Sequence, residues 1–273
     1  MDPLSLVILF VFGVVIGSFL NVVTLRYDGE RFLFDVKAIG GRSHCMHCKA
    51  TLRWFELVPI ASFLIQGGRC RHCKTRLSIQ YPIVELLSGF IFVFVPLWMF
   101  AGAAPLSSPA SSVALGATLW VAVFEALLVM SVIDIRMGII PDEINVFLAA
   151  VGVILAIVPG WEGSAVLGKL IGAAVAGIFF ALLIAVTRGK GMGMGDLKLV
   201  IPLGLIFGWP DIIFVLAFSF VIGAVVGVFA IARGKSHMKS ALPFGPFLAL
   251  GATAMFFWGA WVLGWYFSIL GIR

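Results

Sequence analysis

Two aspartates at the edges of apolar segments are the residues of this sequence best suited to chemistry. Asp134 stands in "VMSVIDIRMGIIPDEIN", and Asp196 follows 62 residues later in the glycine-rich "GKGMGMGDLKLV". Two carboxyl groups that converge can share one proton, so that one acts as a base on water while its protonated partner polarises an amide carbonyl. This is aspartyl protease chemistry. Gly193 and Gly195 would let an extended substrate backbone approach closely.

Each of these aspartates also has a structural interpretation. Aspartate is a favoured helix N-cap, and Asp196 begins an apolar run. Asp134 has two possible partners for an ion pair, Arg136 and Lys198. The sequence leaves both alternatives open, because it does not say whether the two carboxyl groups meet.

Three other acids lie in or near apolar runs, where ionisable groups are costly and usually functional. Asp142 follows Pro141 and is a second catalytic candidate in the first segment. However, "PDEIN" is also typical of a helix start, with proline and acids in the first turn. Glu85 and Glu125 are expected to pack between helices against polar partners, and no specific role is assigned to them.

The four cysteines form two C-x-x-C pairs, "CMHC" at Cys45 and Cys48 and "CRHC" at Cys70 and Cys73. Their spacing matches a four-cysteine zinc site, in which two short knuckles place four thiolates around one ion. The alternatives are two reduced pairs without metal, or a redox pair. A segment this rich in arginine and glycine has little apolar material to fold alone, so a structural metal would stabilise it. The neighbouring histidines are left outside the site; they are His44, His47 and His72.

The composition is that of an integral membrane protein. Of 273 residues, 62% are apolar and 12% charged, and the mean hydropathy is +1.13. A bilayer-spanning helix needs about 20 apolar residues, and continuous runs rather than alternating ones favour helices over a barrel. The first run has no basic residue before it and is expected to remain as a helix rather than be cleaved as a signal peptide. Eight runs predict about eight membrane helices, near 4–24, 83–102, 113–133, 144–159, 166–187, 197–208, 212–232 and 243–268.

The basic residues predict the orientation in the membrane. Of 19 lysines and arginines, ten lie between Arg26 and Arg76 and seven more in or beside every second later connection, leaving only Lys169 and Arg273 on the other side. This 17-to-2 bias places residues 25–80 in the cytoplasm and both termini outside. The net charge of +6 therefore indicates topology and contact with anionic lipid, not nucleic acid binding.

Taken together, five segments in this order resemble the type IV prepilin peptidases, membrane aspartyl proteases of the GxGD class. They are "GSFLNVVTLR" at 17–26, the stretch "GGRCRHCKTRLSIQYPIVELLSG" at 67–89, "IDIRMGIIPDEIN" at 133–145, "GMGD" at 193–196 and "PFGPFLALGA" at 243–252. The resemblance covers nearly the whole chain. It implies an all-α polytopic membrane fold with a cytoplasmic zinc-binding loop after the first helix.

The resemblance also implies the residues of the site. Asp134 and Asp196 match the catalytic pair of the family, and Cys45, Cys48, Cys70 and Cys73 match its zinc ligands. Gly68 and Arg69, just ahead of the third cysteine, match the pair linked to methyl transfer, with arginine where the family often has lysine. Supporting roles near the aspartates are expected for Gly193, Gly195, Pro141, Asp142 and Lys198.

The implied enzyme is an aspartic-type endopeptidase of the bacterial inner membrane. It would cut type IV prepilins or pseudopilins at a Gly–Phe junction on the cytoplasmic face. It would also methylate the new N-terminus with S-adenosylmethionine. The expected divisions are a first membrane helix at 1–24, the cytoplasmic zinc loop with its methyltransferase-associated region at 25–80, and a peptidase domain at 81–273.

Three other functions fit parts of the sequence. A transporter also carries intramembrane acids and glycine-broken helices, but no internal repeat is evident here. A presenilin-like protease shares GxGD but should have a Pro-Ala-Leu motif, which "ALPFGPF" lacks. A non-enzymatic assembly component of a pilus or secretion system fits the composition but leaves the acid pair unexplained.

Overall fold

The computed structural model describes residues 1–35, 39–103, 109–157, 166–189, 191–233 and 242–269, and these are helical apart from turns and isolated backbone bridges. Each predicted apolar run coincides with one long helix. The eight are α1 (Pro3–Arg26), α2 (Gln80–Trp98), α3 (Ala110–Met137), α4 (Asp142–Ile157), α5 (Val166–Thr187), α6 (Met194–Phe207), α7 (Asp211–Ala232) and α8 (Gly245–Ile269). Some positions used above lie outside the described residues, namely Lys37, Lys190, Lys235, Lys239, Arg273 and residues 158–159.

Six of these helices are long and apolar enough to cross a membrane, within the part of the chain that the structure describes. The exceptions are α4, with 16 residues, and α6, with 14. At 1.5 Å per residue they span only about 24 and 21 Å, less than the roughly 30 Å hydrocarbon core. By length and composition alone, the number of candidate spans is six and not about eight, and α4 and α6 are the two shorter helices.

The chain divides into two compact units, Met1–Leu97 and Trp98–Arg273. In the first, α1 and α2 pack in close backbone contact. An ideal Cβ at Gly13 would lie 2.9 Å from the Gly89 Cα, and one at Gly17 would lie 2.7 Å from the Ser88 Cβ. The Ser88 hydroxyl donates to the Gly13 carbonyl at 2.7 Å. This spacing of small residues is the usual way that helices approach closely in lipid.

In the second unit, α6 packs against both α4 and α5. The crossing of α5 and α6 depends on glycine, since an ideal Cβ at Gly204 would lie 2.5 Å from the Ala173 Cα. On another side, α3 packs on α8 through aromatic rings. The Trp120 and Phe256 ring centroids are 4.5 Å apart. The helix that carries Asp196 is thus held along its length by its neighbours.

A buried lysine fixes the end of α6 opposite Asp196. Lys169, in the first turn of α5, is only 7% exposed, and its Nζ donates to the Ile206 carbonyl at 3.1 Å. A cation at the last carbonyls of a helix satisfies an acceptor and complements the helix dipole. The neighbouring Trp209 N–H donates to the Gly168 carbonyl at 2.9 Å, which ties the same end of α6 to α5.

Candidate active site and metal centre

Asp134 lies in the last turn of α3, and its side chain is 5% exposed. The helix ends at Gly138, which adopts the left-handed conformation (φ 68°) and donates its N–H to the Asp134 carbonyl at 2.8 Å. The Asp134 carboxylate accepts a hydrogen bond of 2.9 Å from the backbone N–H of Gly245, which is the first residue of α8. The start of α8 therefore points a backbone donor at this carboxylate.

Asp196 lies in the first turn of α6 and is 9% exposed. The N-cap of this helix is Gly193, so the interpretation of Asp196 as the N-cap is wrong. The carboxylate instead reaches back and accepts the Gly193 N–H at 3.1 Å. An acid in the first turn also interacts favourably with the positive end of the helix dipole.

The structure brings the two aspartate segments together. The connection before α4 lies against the start of α6, where an ideal Cβ at Gly195 would lie 3.3 Å from the Ile140 Cβ. The Lys198 Nζ contacts both carboxylate oxygens of Asp142 at 2.8 Å. Lys198 thus pairs with Asp142 and not with Asp134.

The two buried carboxyl groups belong to segments that meet through Gly195 against Ile140 and through the Lys198–Asp142 contact. Each carboxyl group holds one backbone N–H through its Oδ2, and neither Oδ1 has a hydrogen-bond partner among the described residues. Two carboxyl groups with an oxygen each to spare can bind and polarise one water. Two carboxyl groups that share a water in this way can hydrolyse an amide by acid–base chemistry.

The supporting residues lie around this pair. Pro141 is buried just before α4, and its carbonyl accepts the Ile144 N–H at 3.2 Å. The Asp142–Lys198 ion pair is exposed on both sides, with relative accessibilities of 66% and 51%. Its net contribution to stability is small for that reason. The pair joins Asp142, at the start of α4, to Lys198 of α6, which is two residues after Asp196.

Gly245 is the site residue that sequence analysis missed. An ideal Cβ at this position would lie 2.7 Å from the Asp134 Oδ2 and 2.6 Å from the Met130 Sδ. Any side chain here would have to displace the carboxylate or the methionine. The segment "PFGPFLALGA" contained the signal, but only as a sequence match, since the contact joins residues 111 positions apart.

The four cysteines come together as one cluster. Their Sγ atoms all lie within 4.8 Å of one another, and the Cys45 and Cys73 Sγ atoms are 3.9 Å apart. In a tetrahedral zinc site with Zn–S bonds of ~2.3 Å, neighbouring sulfurs are about 3.8 Å apart. None of the three neighbouring histidines belongs to the cluster. The donor set therefore fits zinc.

The backbone of the two cysteine knuckles follows one pattern. In the first, the Cys45 N–H donates to the Ala50 carbonyl and the Lys49 N–H to the Cys45 carbonyl, each at 2.9 Å. The second repeats these bonds between the residues that correspond, Cys70, Lys74 and Thr75, again at 2.9 Å. Hydrogen bonds from the Thr75 hydroxyl and backbone N–H lower the pKa of the Cys73 thiol to about 5. These bonds favour the thiolate form of Cys73, which is the form that binds metal.

Metal analysis of the purified protein is expected to give about one zinc per chain, with Zn–S distances of ~2.3 Å by X-ray absorption. Acidification should release the ion as the thiolates take up protons. The matched control is His47→Ala, which removes an exposed ring from the first knuckle and should leave the zinc content unchanged. A disulfide between Cys45 and Cys48 in protein kept under cytosolic redox conditions would contradict a zinc site.

Gly68 and Arg69 lie in the turn before the second knuckle. Gly67 and Gly68 both have positive φ (60° and 65°), and their N–H groups donate within the turn to Leu64 and Phe63. The Arg69 side chain is exposed and forms no ion pair with a described residue. An exposed guanidinium that is not engaged in such an ion pair can bind the carboxylate of a small ligand.

The two glutamates that the sequence places in apolar runs, Glu85 and Glu125, are both buried. Glu85 on α2 is 5% exposed and accepts the Ile60 N–H through its Oε2 at 2.7 Å, which confirms that it packs against a polar partner. Glu125 is 9% exposed on α3. It lies nine residues before Asp134 along the same helix, about 13 Å along the axis at 1.5 Å per residue.

Comparison with known proteins supports one family over most of the chain. The model for the bacterial peptidase A24 N-terminal domain matches residues 11–100, and that for the type IV leader peptidase family matches residues 121–228. A "prepilin leader peptidase/N-methyltransferase" of Burkholderia pseudomallei (strain 1026b) is 36% identical, over 91% of this chain and 84% of that protein. Proteins of the same name from Bacillus subtilis and Aeromonas hydrophila are each 32% identical over 96% of this chain, and over 98% and 93% of their own lengths. No solved structure matches the chain.

Proposed function

The chain belongs to the type IV leader peptidase family, and on that premise we propose that it is a membrane aspartyl endopeptidase that removes the leader of prepilins or pseudopilins. We propose further that it methylates the new amino terminus, as the names of its relatives indicate. The observation that carries the peptidase proposal is the pair of buried carboxyl groups on α3 and α6, each held by one backbone N–H. A transporter or scaffold gives no reason for this arrangement.

In this proposal Asp134 and Asp196 share a water and one proton. The ionised carboxylate takes a proton from the water as its oxygen attacks the scissile carbonyl, and the protonated partner donates to the carbonyl oxygen. The tetrahedral intermediate then collapses, and the amine leaves with a proton returned by the first carboxyl group. Burial of both groups strengthens these charge interactions, because the local dielectric is low. The scissile bond is proposed to be a Gly–Phe junction.

The role proposed for zinc is structural. Cys45, Cys48, Cys70 and Cys73 would hold the ion, and it would cross-link two knuckles that have little apolar core between them. The methyl donor is proposed to be S-adenosylmethionine, with the exposed Arg69 guanidinium meeting its carboxylate beside the Gly68 turn. Methyl transfer from this donor needs no redox partner.

We propose the membrane orientation that the distribution of lysines and arginines predicts. The segment between α1 and α2, which holds both knuckles, carries nine of the 19 lysines and arginines, with a tenth, Arg26, at the end of α1, and would face the cytoplasm. The connection between α3 and α4 and the start of α6 would lie on the same side, so cleavage would occur at the cytoplasmic face of the inner membrane.

The proposed function is tested by incubating membranes that contain the protein with a model prepilin. A small increase in mobility should appear on a gel, and mass spectrometry should give the mature chain plus one CH₂ when S-adenosylmethionine is present. Uncleaved substrate, with the protein folded in the membrane, would sink the peptidase proposal. Cleaved product without the added CH₂ would sink only the methyltransferase part.

Replacing Gly245 by alanine is expected to slow cleavage by about 10²-fold, the usual cost of displacing a reacting group by roughly 1 Å. The reason is the Cβ, which would lie 2.7 Å from the Asp134 Oδ2. Gly264→Ala is the matched control on the same helix, since nothing lies within 4 Å of a Cβ there. A Gly245→Ala protein that cleaves as fast as the Gly264→Ala protein would show that α8 does not position Asp134.

A further inference from the structure

An apolar stretch in the middle of the basic segment between α1 and α2 is left uncovered by the fold. "LVPIASFLIQ", residues 57–66, contains no charged residue. Ile65 and Leu64 are 86% and 69% exposed, and Trp54, just before the stretch, is 79% exposed. The short helix Ala61–Ile65 contacts the 3₁₀ turn that contains Trp54, so these side chains belong to one region. Exposed apolar side chains grouped in this way mark an interaction surface.

The contacts of Glu85 give the depth of this stretch along the membrane helices. Glu85 is the sixth residue of α2, about 7.5 Å along the axis from its first residue. Its Oε2 accepts the Ile60 N–H at 2.7 Å, and an ideal Cβ at Gly17 of α1 would lie 2.9 Å from the Glu85 Cα. The helix Ala61–Ile65 therefore starts beside the N-terminal part of α2, where α2 packs on α1.

The surface of α2 at this level is apolar. Ile83 and Leu86, on either side of Glu85, are 45% and 36% exposed on a helix that is long and apolar enough to cross a membrane. Side chains of this kind on a spanning helix contact lipid. Leu64 and Ile65 follow Ile60 by four and five residues, so they lie within reach of this apolar part of α2.

The backbone holds the stretch at this depth. Ile60 has φ 59° and ψ −55°, a conformation that β-branched residues rarely adopt. It persists because the N–H of this residue is bound by a buried carboxylate and because Pro59 fixes the approach of the chain.

The charges around the stretch suit a bilayer surface. Arg53 precedes Trp54, and Arg69, Arg71 and Lys74 follow the stretch in sequence. Basic residues beside an apolar segment are attracted to anionic lipid headgroups, and tryptophan is enriched at the membrane–water interface. The pattern is that of a segment lying in the interface, with its apolar face in the acyl boundary.

We propose that residues 57–66 form a membrane-interface anchor, whose occupant is the lipid of the same bilayer that α1 and α2 cross. Leu64 and Ile65 enter the acyl-chain boundary, and Trp54 and Arg53 lie at the headgroup level. The anchor holds the two cysteine knuckles at the membrane surface. The second knuckle begins at Cys70, four residues after Gln66. This inference depends on the spanning helices and not on the proposed reaction.

Photocrosslinking in nanodiscs of phosphatidylethanolamine and phosphatidylglycerol tests the anchor on the full chain. Benzoylphenylalanine is placed at Ile65 or, as a matched control, at Met46, which is 57% exposed inside the first knuckle. Irradiation should give an adduct of lipid mass on the peptide from position 65 and none from position 46. Crosslinks from position 65 to another protein segment, to a second copy or to an added prepilin, without lipid adducts, would overturn the proposal.

Limited proteolysis supplies a second measurement that needs no unnatural residue. The double variant Leu64→Gln, Ile65→Gln should keep its zinc but lose the anchor, so trypsin should cut at Arg69, Arg71 or Lys74 faster than in the unchanged protein. Leu57→Gln, a single change at a side chain only 42% exposed, should have a smaller effect. Equal cleavage of the double variant and the unchanged protein in nanodiscs would contradict the anchor.

Discussion

Asp134→Asn and Asp196→Asn should each lower the rate of leader cleavage by roughly 10²- to 10⁴-fold or more, the range that acid–base groups contribute. An amide cannot take a proton from water and cannot donate one to the carbonyl oxygen in return. Asparagine has almost the same shape, and its oxygen can still accept the Gly245 or Gly193 N–H, so the protein should remain folded. The measurement is the initial rate on a model prepilin, scaled to the amount of protein in the membrane.

Asp142→Asn is the matched control for these variants. Asp142 is in the same segment as Asp134, but it is exposed and paired with Lys198. Its loss should lower cleavage far less than the loss of Asp134, because its exposed carboxylate has only a supporting role and an exposed ion pair contributes weakly to stability. A fully active Asp134→Asn together with an inactive Asp142→Asn would move the catalytic role to Asp142 and refute the assignment.

Cys45→Ser and Cys73→Ser should abolish methylation while leaving most of the cleavage activity. Structural zinc contributes about 10–16 kcal/mol in isolated zinc-finger peptides, so losing a ligand should unfold the knuckles locally. The aspartates lie on α3 and α6 in one compact unit, whereas the cysteines lie in the other. Mass spectrometry of the product separates cleaved chains from cleaved and methylated chains, which differ by one CH₂.

The reciprocal experiment uses Asp196→Asn with a pilin that is already cleaved. This variant should methylate the supplied N-terminus at the normal rate, because the change does not reach the knuckles. His47→Ala, which leaves all four thiols in place, should retain both activities. If the cysteine variants lose cleavage as completely as the aspartate variants, the knuckle segment also belongs to the peptidase site.

The sequence by itself determined the elements and the local motifs. Each of the eight long helices lies where a continuous apolar run was found, because a backbone in lipid must satisfy its hydrogen bonds within the helix. The knuckles follow from the C-x-x-C spacing, because each knuckle closes through hydrogen bonds among six consecutive residues. Asp196 could also be placed at a helix start from the local sequence, because glycines precede it and an apolar run follows.

Only the tertiary structure decided which of these elements meet. Gly245 binds Asp134 across 111 residues, Lys198 binds Asp142 across 56, and Glu85 binds Ile60 across 25. Such contacts depend on how closely helices pack, and a single Cβ at Gly204 or Gly17 would prevent that packing. Helix length was likewise read from the structure, where α4 and α6 are shorter than the six candidate spans. Hydropathy shows which segments are apolar enough to be buried. Which helix packs against which is decided by the fit of their surfaces and by hydrogen bonds between residues far apart in the sequence.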